Sequence, residues 1–435
     1  MVNRAVCALL FASGCSLITD NFVVNSFSGD EFPIDVDTSS GAIVLGIREA
    51  GASDRVAVLD LLSPITLTDP GPDGQAAVTY PDLTLLGEAG PGGPIDRPRA
   101  LLSEAQLIAS HPCPTDSCNV GPDSAPRGYE AIVGANVLAG DAVRIDLGSD
   151  ELFILPDVAG DETSRSLACD AVLPSPFRGG GTLVIGGTEL PFGGRRIAVG
   201  SCIAADPDPS ILQSQRGTDA LFVVSTGIGI SILGRSAYDR YVAAQHITTP
   251  FESLPAGAVY LPSGLISGSL TTLPSVALVA NSPGAPRAPC RQVYSHHLLT
   301  DRDCIAPGTS CMTNDDCPSH ICQTDNTCEE DCPCDVGQTS CFVPAIVEID
   351  PASGIDVLVV SDDEPTLQSL RTELRPDQPE VDGILGTNAL RTVELDVDYT
   401  HDRVLGRCTD GTCDARPELP SSDQRAAVRG CLHLP

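Results

Sequence analysis

Two stretches decide how this chain is read: Val36–Gly46, "VDTSSGAIVLG", and Val224–Gly234, "VSTGIGISILG". Laid together without a gap they match Val36 with Val224, Thr38 with Thr226, Gly41 with Gly229, Leu45 with Leu233 and Gly46 with Gly234, and set Asp37 against Ser225. In each, an apolar strand end runs into a turn of small residues, where glycine lets backbone come close. The apolar run that follows, "AIVL" or "ISIL", reads as a buried strand.

A second pair lies downstream. "YEAIVGANVLAGDAVRIDL", Tyr129–Leu147, aligns without a gap on "VDGILGTNALRTVELDVDY", Val381–Tyr399, matching Ile132 with Ile384, Gly134 with Gly386, Asn136 with Asn388, Leu138 with Leu390 and Asp146 with Asp398. Two paired motifs in the same order indicate an internal duplication. From Asp37 to Gly134 is 97 residues and from Ser225 to Gly386 is 161, so the second half carries 64 more. Nine cysteines between Cys290 and Cys341 mark the extra segment as a small module folding on disulfides, since it has too few apolar residues for a core. His296, His297, Cys332 and Cys334 are the alternative zinc ligands there, but in an oxidising compartment disulfide formation competes for the thiolates, and no metal is expected.

On these residues the chain resembles the pepsin and retropepsin-like aspartic peptidases. Their two lobes each carry an Asp-Thr/Ser-Gly turn and, later, a hydrophobic-hydrophobic-Gly strand behind it. Here Asp37, Thr38 and Ser39 stand in one turn and Ser225, Thr226 and Gly227 in the other; Ile132, Val133 and Gly134, and Ile384, Leu385 and Gly386, stand in the strands. The resemblance implies an all-β, bilobed pepsin-like fold with the disulfide-rich insertion in the second lobe. It also implies threonine hydroxyls reaching across between the turns, and a flap tyrosine, for which Tyr80 in "AAVTYPDL" is the candidate. The chain departs from the pattern at Ser225, which replaces a carboxylate, and at Ser39, which replaces a glycine. Peptide cleavage by this fold needs two carboxylates sharing one proton, one to activate water and one to protonate the carbonyl. Three readings therefore stand: a silent protein binding an extended peptide or protein in the cleft, an active endopeptidase with an Asp37/Ser225 dyad, and a surface protein acting through its Cys-rich module. No cofactor is implied, and because each turn faces its own second lobe, a monomer is expected.

Composition agrees with a β-rich protein: 41 Gly and 36 Pro interrupt the chain too often for long helices. "RSAYDRYVAA" from Arg235 and "EPTLQSLRTEL" from Glu364 are the best helical stretches. The formal charge of −33, with every basic residue an arginine, repels nucleic-acid phosphates and anionic lipid headgroups. At the N-terminus a short apolar run ends in "ASGC", Ala12–Cys15, which resembles the lipobox of bacterial lipoproteins, with alanine where leucine is usual. It predicts a signal peptide over 1–14, acylation of Cys15 and, from Ser16, sorting to the outer membrane of the cell envelope. The expected lobes are 15–165 and 166–289 with 342–435, interrupted by the insert 290–341. Of the remaining cysteines, Cys113 with Cys118, Cys408 with Cys413 and Cys169 with Cys202 are the expected pairs.

Overall fold

The computed structural model describes most of residues 31–68, 77–155, 171–280 and 346–416, together with Cys290. The first lobe begins with an antiparallel meander of β1 (Glu31–Val36), β2 (Ile43–Glu49) and β3 (Asp54–Asp60), in which Ile34 faces Leu45 and Leu45 faces Ala57. β1 alternates: Phe32 and Ile34 point inward and Glu31, Pro33 and Asp35 outward. After a short β4 (Thr66–Thr68) the chain leaves, and β5 (Ala131–Gly134) returns between β3 and β4, parallel to the first and antiparallel to the second. β6 (Ala142–Asp146) and β7 (Glu151–Leu155) complete this half.

The second lobe repeats the plan with β8 (Ala171–Pro174), β9 (Arg196–Ala204), β10 (Thr218–Val224), β11 (Ser231–Gly234), β12 (Gly383–Leu385), β13 (Val393–Asp398) and β14 (Arg403–Cys408). β12 lies between β10 and β11, parallel to one and antiparallel to the other, as β5 lies between β3 and β4. Each return strand runs into a glycine, at its end or just after it, that crowding requires. A Cβ on Gly134 would sit 2.2 Å from the Ile65 carbonyl oxygen, and one on Gly386 would sit 2.7 Å from that of Ile228. The same hydrogen bonds lock both sites. Thr66 Oγ1 donates to Asn136 Oδ1 (2.9 Å) and accepts from the Gly134 amide (3.3 Å); Ser231 Oγ donates to Asn388 Oδ1 (2.9 Å) and accepts from the Gly386 amide (3.0 Å).

A six-stranded run, β1-β7-β6-β13-β14-β8, joins the halves. At its centre Arg144 is in register with Asp396, the residue 252 positions later, and that same offset sets Gly134 on Gly386. A residue facing its own counterpart lies on a two-fold axis, so the sheet itself records the duplication. The two counterparts have become opposite charges. Arg144 clasps Asp396 through two bonds of 2.7 Å and reaches Glu394 at 3.1 Å. This is the all-β, bilobed architecture that the resemblance implied, with buried apolar side chains continuous from one lobe to the other.

The helical stretches form α-helices, α1 (Arg235–Ala244) and α2 (Pro365–Glu373), the second with Glu364 accepting the Leu367 amide at 3.0 Å. Cys408 pairs with Cys413 as expected. Cys202 does not pair with Cys169; it bonds Cys290. The reason is register: Cys202 on β9 faces Ala277 of the neighbouring strand Ser275–Val279, and Cys290, soon after that strand, is held beside it by its amide on Asp219 Oδ1 (2.8 Å). One disulfide thus ties the base of the Cys-rich segment to the second lobe. The rest of that segment, with His296, His297, Cys332 and Cys334, lies outside the described residues, as do Cys15 and Cys118. Among the described residues no helix is long and apolar enough to cross a membrane, and no cluster of metal-ligand type occurs.

Removing Arg144 leaves the almost fully buried Asp396 carboxylate without its clasp, while Glu394 keeps Arg407 at 3.3 Å. Arg144→Leu is expected to cost about 3 kcal/mol, read as a lower urea midpoint with the disulfides intact. An unchanged midpoint would mean that the lobes are not joined through this pair.

Candidate functional site

β3 and β10 run to the junction of the lobes from opposite sides and end there, β3 at Asp60 and β10 one residue before Ser225. Ser225 Oγ donates to Asp60 Oδ1 at 2.8 Å. The same oxygen accepts from the Leu62 amide (2.9 Å) and the Gly227 amide (3.3 Å). Ser225 is fully buried and Asp60 is only 7% exposed. Burial pushes the Asp60 carboxyl above the usual aspartate range, against the opposing pull of those three donors and of the Arg196 charge.

The neighbouring hydroxyl stitches the lobes. Thr226 Oγ1 donates to the Leu59 carbonyl (2.8 Å) and accepts from the Leu61 amide (3.0 Å), so one buried group satisfies two backbone atoms of the opposite lobe. Gly227 is then required, because a Cβ there would lie 2.7 Å from Asp60 Cγ. The reciprocal stitch is absent, since Leu61 stands where Thr226 stands in the other turn and carries no hydroxyl.

The sequence reading set Asp37 opposite Ser225, and the structure corrects this to Asp60. The strand register decides: Gly134 pairs with Asp60 on β3, and Leu385 pairs with Val224, which brings Gly386 beside Ser225. The early strands are therefore duplicated at an offset of 165 residues rather than 188. From Asp60 to Gly134 is 74 residues, so the second lobe carries 87 more rather than 64. Asp37 instead starts the β1–β2 turn: its carbonyl accepts from Gly41, its amide donates to Ala42, and its Oδ2 accepts from Ser40 Oγ at 3.0 Å. That turn rests on the second lobe, with Ile43 N–H donating to the Thr226 carbonyl at 2.8 Å and Thr387 Oγ1 donating to the Gly41 carbonyl. Gly41, at φ +71°, packs so closely on Gly229 that its Cβ would sit 2.6 Å from the Gly229 Cα.

Of the residues the resemblance singled out, Ser225, Thr226 and Gly227 meet at the junction, backed by Ile132, Val133, Gly134, Ile384, Leu385 and Gly386. Thr38, Ser39 and Tyr80 lie outside the described residues. Asp60 had a signal of its own: "VLDLLSPITL", Val58–Leu67, aligns without a gap on "VVSTGIGISI", Val223–Ile232. Its turn lacks both the threonine and the glycine that would have marked it.

No family model and no curated protein matches the chain. Among solved structures, basic 7S globulin from soybean is similar over 88% of this chain and 95% of its own, at TM-score 0.39 and 11% identity. An aspartic proteinase from Irpex lacteus is similar over 88% and 98%, at TM-score 0.35 and 10% identity.

Chemically, the junction offers one carboxyl and one hydroxyl. The proton that two carboxylates would share is here the hydroxyl proton of Ser225, donated to Asp60. With no like charge beside it, Asp60 titrates as a single buried group. Its Oδ2 takes none of the three donors.

Two outcomes follow. Thr226→Val should cost about 1–3 kcal/mol, because the Leu59 carbonyl and Leu61 amide lose their partner in a buried site; a chemical-denaturation series measures it. The folded state favours protonated Asp60, so its stabilising contribution is complete below the ordinary aspartate value and is lost as pH rises through the raised one. Asp60→Asn should therefore gain stability relative to wild type as pH rises above about 4. A constant difference between the two across pH would show that Asp60 is not held toward its neutral form.

Proposed function

We propose that this is a catalytically silent, aspartic-protease-like protein of the bacterial cell envelope that holds an extended peptide or protein segment between its lobes. The observation that carries the reading is the Ser225–Asp60 hydrogen bond, a hydroxyl donor where catalysis needs a second carboxyl. Leu61 and Leu62 add to it, since the first turn lacks the small and polar groups that would position a water. A groove between β lobes suits a strand-like partner through main-chain hydrogen bonds. The chain supplies both halves of its own junction, which supports a monomer. The disulfides Cys202–Cys290 and Cys408–Cys413 accord with an oxidising compartment, and Cys15 is the proposed site of the lipid anchor, at the outer membrane.

Incubated with unfolded protein substrates between about pH 2 and 7, the range in which paired carboxylates work, the mature protein should leave them uncut. Ser225→Asp should leave them uncut too, because Leu61 and Leu62 still occupy the other turn. Cleavage by the wild type that disappears in Asp60→Ala would overturn the silent reading. Palmitate labelling in cells should be lost in Cys15→Ser; labelling that persists sinks the proposed anchor. Peptides selected by panning a random library on the immobilised protein should slow carbodiimide coupling at Asp60. Binding that leaves this coupling unchanged would put the site elsewhere.

A further inference from the structure

Leu62 and Gly227 are counterparts, two residues past Asp60 and Ser225, yet they differ in what they do. Gly227 lies flat against Asp60. Leu62, 8% exposed, instead sends its side chain into the second lobe's apolar cluster with Ala198, Leu221, Val223, Ile228 and Ile384, and is the first-lobe member of that cluster among the described residues. Its backbone is engaged at both ends. The Leu62 amide donates to Asp60, and its carbonyl accepts from Arg196 Nη1. Arg196, at the start of β9, is itself fixed by Glu373 at the end of α2 through a two-bond clasp, Nε to Oε2 at 2.6 Å and Nη2 to Oε1 at 2.9 Å. Both side chains of that ion pair are mostly buried, which spares it from screening by salt.

We infer that Leu62, Arg196 and Glu373 form a latch that holds the lobes closed over the Asp60–Ser225 pair. To separate the lobes at this edge, Leu62 must leave an apolar cluster and Arg196 must release a carbonyl toward which Glu373 aims it. The closed state is therefore favoured, and the Asp60 carboxyl becomes reachable only in the open one. Resting on the peptide-binding reading above, the latch also gates the ligand: a segment that reaches Asp60 must first displace Leu62.

Carbodiimide-driven coupling of an amine to Asp60, followed by peptide mass spectrometry with exposed Glu189 as the internal reference, measures the open fraction directly. In Glu373→Gln the ratio of Asp60 to Glu189 coupling should rise about tenfold, the usual worth of a hydrogen bond to a charged group, and in Leu62→Ala, which withdraws a buried apolar side chain from the cluster, at least as much. Amide exchange within β11 should stay at its wild-type rate, which shows that the lobe itself remains folded. Wild-type coupling in both variants, with β11 protection intact, overturns the latch. Should Leu62→Ala loosen β11, Glu373→Gln alone decides, because it leaves the cluster in place. Coupling that rises in variants whose affinity for panned peptides is unchanged upholds the latch while removing the peptide reading.

Discussion

The hydroxyl of Thr226 is the constraint on which the junction depends. It is buried, it donates to one backbone atom of the opposite lobe and accepts from another, and both sit on either side of Asp60. This places the ends of β3 and β10 within hydrogen-bond reach of each other, and Ser225 then has Asp60 as its partner. Gly227, Gly229 and Gly41 follow from the same closeness, because backbone meets backbone there and leaves no room for a Cβ. Of the two reciprocal threonine contacts between the turns at Asp60 and Ser225 only that of Thr226 is made, and the seam leans on what surrounds it, the Thr387 hydroxyl on the Gly41 carbonyl included.

The two halves have kept and lost different things. Gly134 and Gly386, Asn136 and Asn388, and Thr66 and Ser231 retain matching contacts, and all of them hold a return strand in place. Asp60 and Ser225, Leu61 and Thr226, and Leu62 and Gly227 have diverged, and all of these line the junction. The retained set is what packing demands, and the diverged set is what proton transfer would demand. The requirements of the fold and the make-up of the junction are thus separable in this molecule, as the dependence of function on sites rather than folds leads one to expect.

The late motif was legible because its requirements are local: a glycine under a carbonyl and an asparagine two residues on leave a mark in any sequence. The early motif was not. Asp37-Thr38-Ser39 has the residue types of a catalytic turn, but the turn it belongs to joins β1 to β2, one hairpin too soon. Asp60, followed by two leucines, shows its place only through pairing with β5, a contact across 74 residues that no local pattern encodes. Cys202 failed in the same way, since its partner is set by the register of a neighbouring strand rather than by proximity in sequence. The helices were readable because Gly and Pro are absent from their interiors.

Charge explains why arginine recurs at the seam. With a formal charge of −33 the two lobes repel each other, and a closed junction needs cations placed where water does not screen them. Arg144 crosses from the first lobe to Asp396 and Glu394 of the second, and Arg196 crosses back to the Leu62 carbonyl while Glu373 fixes its plane. Lysine, absent from this chain, could replace neither: its single ammonium cannot form two parallel bonds to one carboxylate, and it loses its proton more readily when buried. A guanidinium stays charged throughout the range in which carboxyls change charge, so each arginine keeps its side of the attraction across the seam.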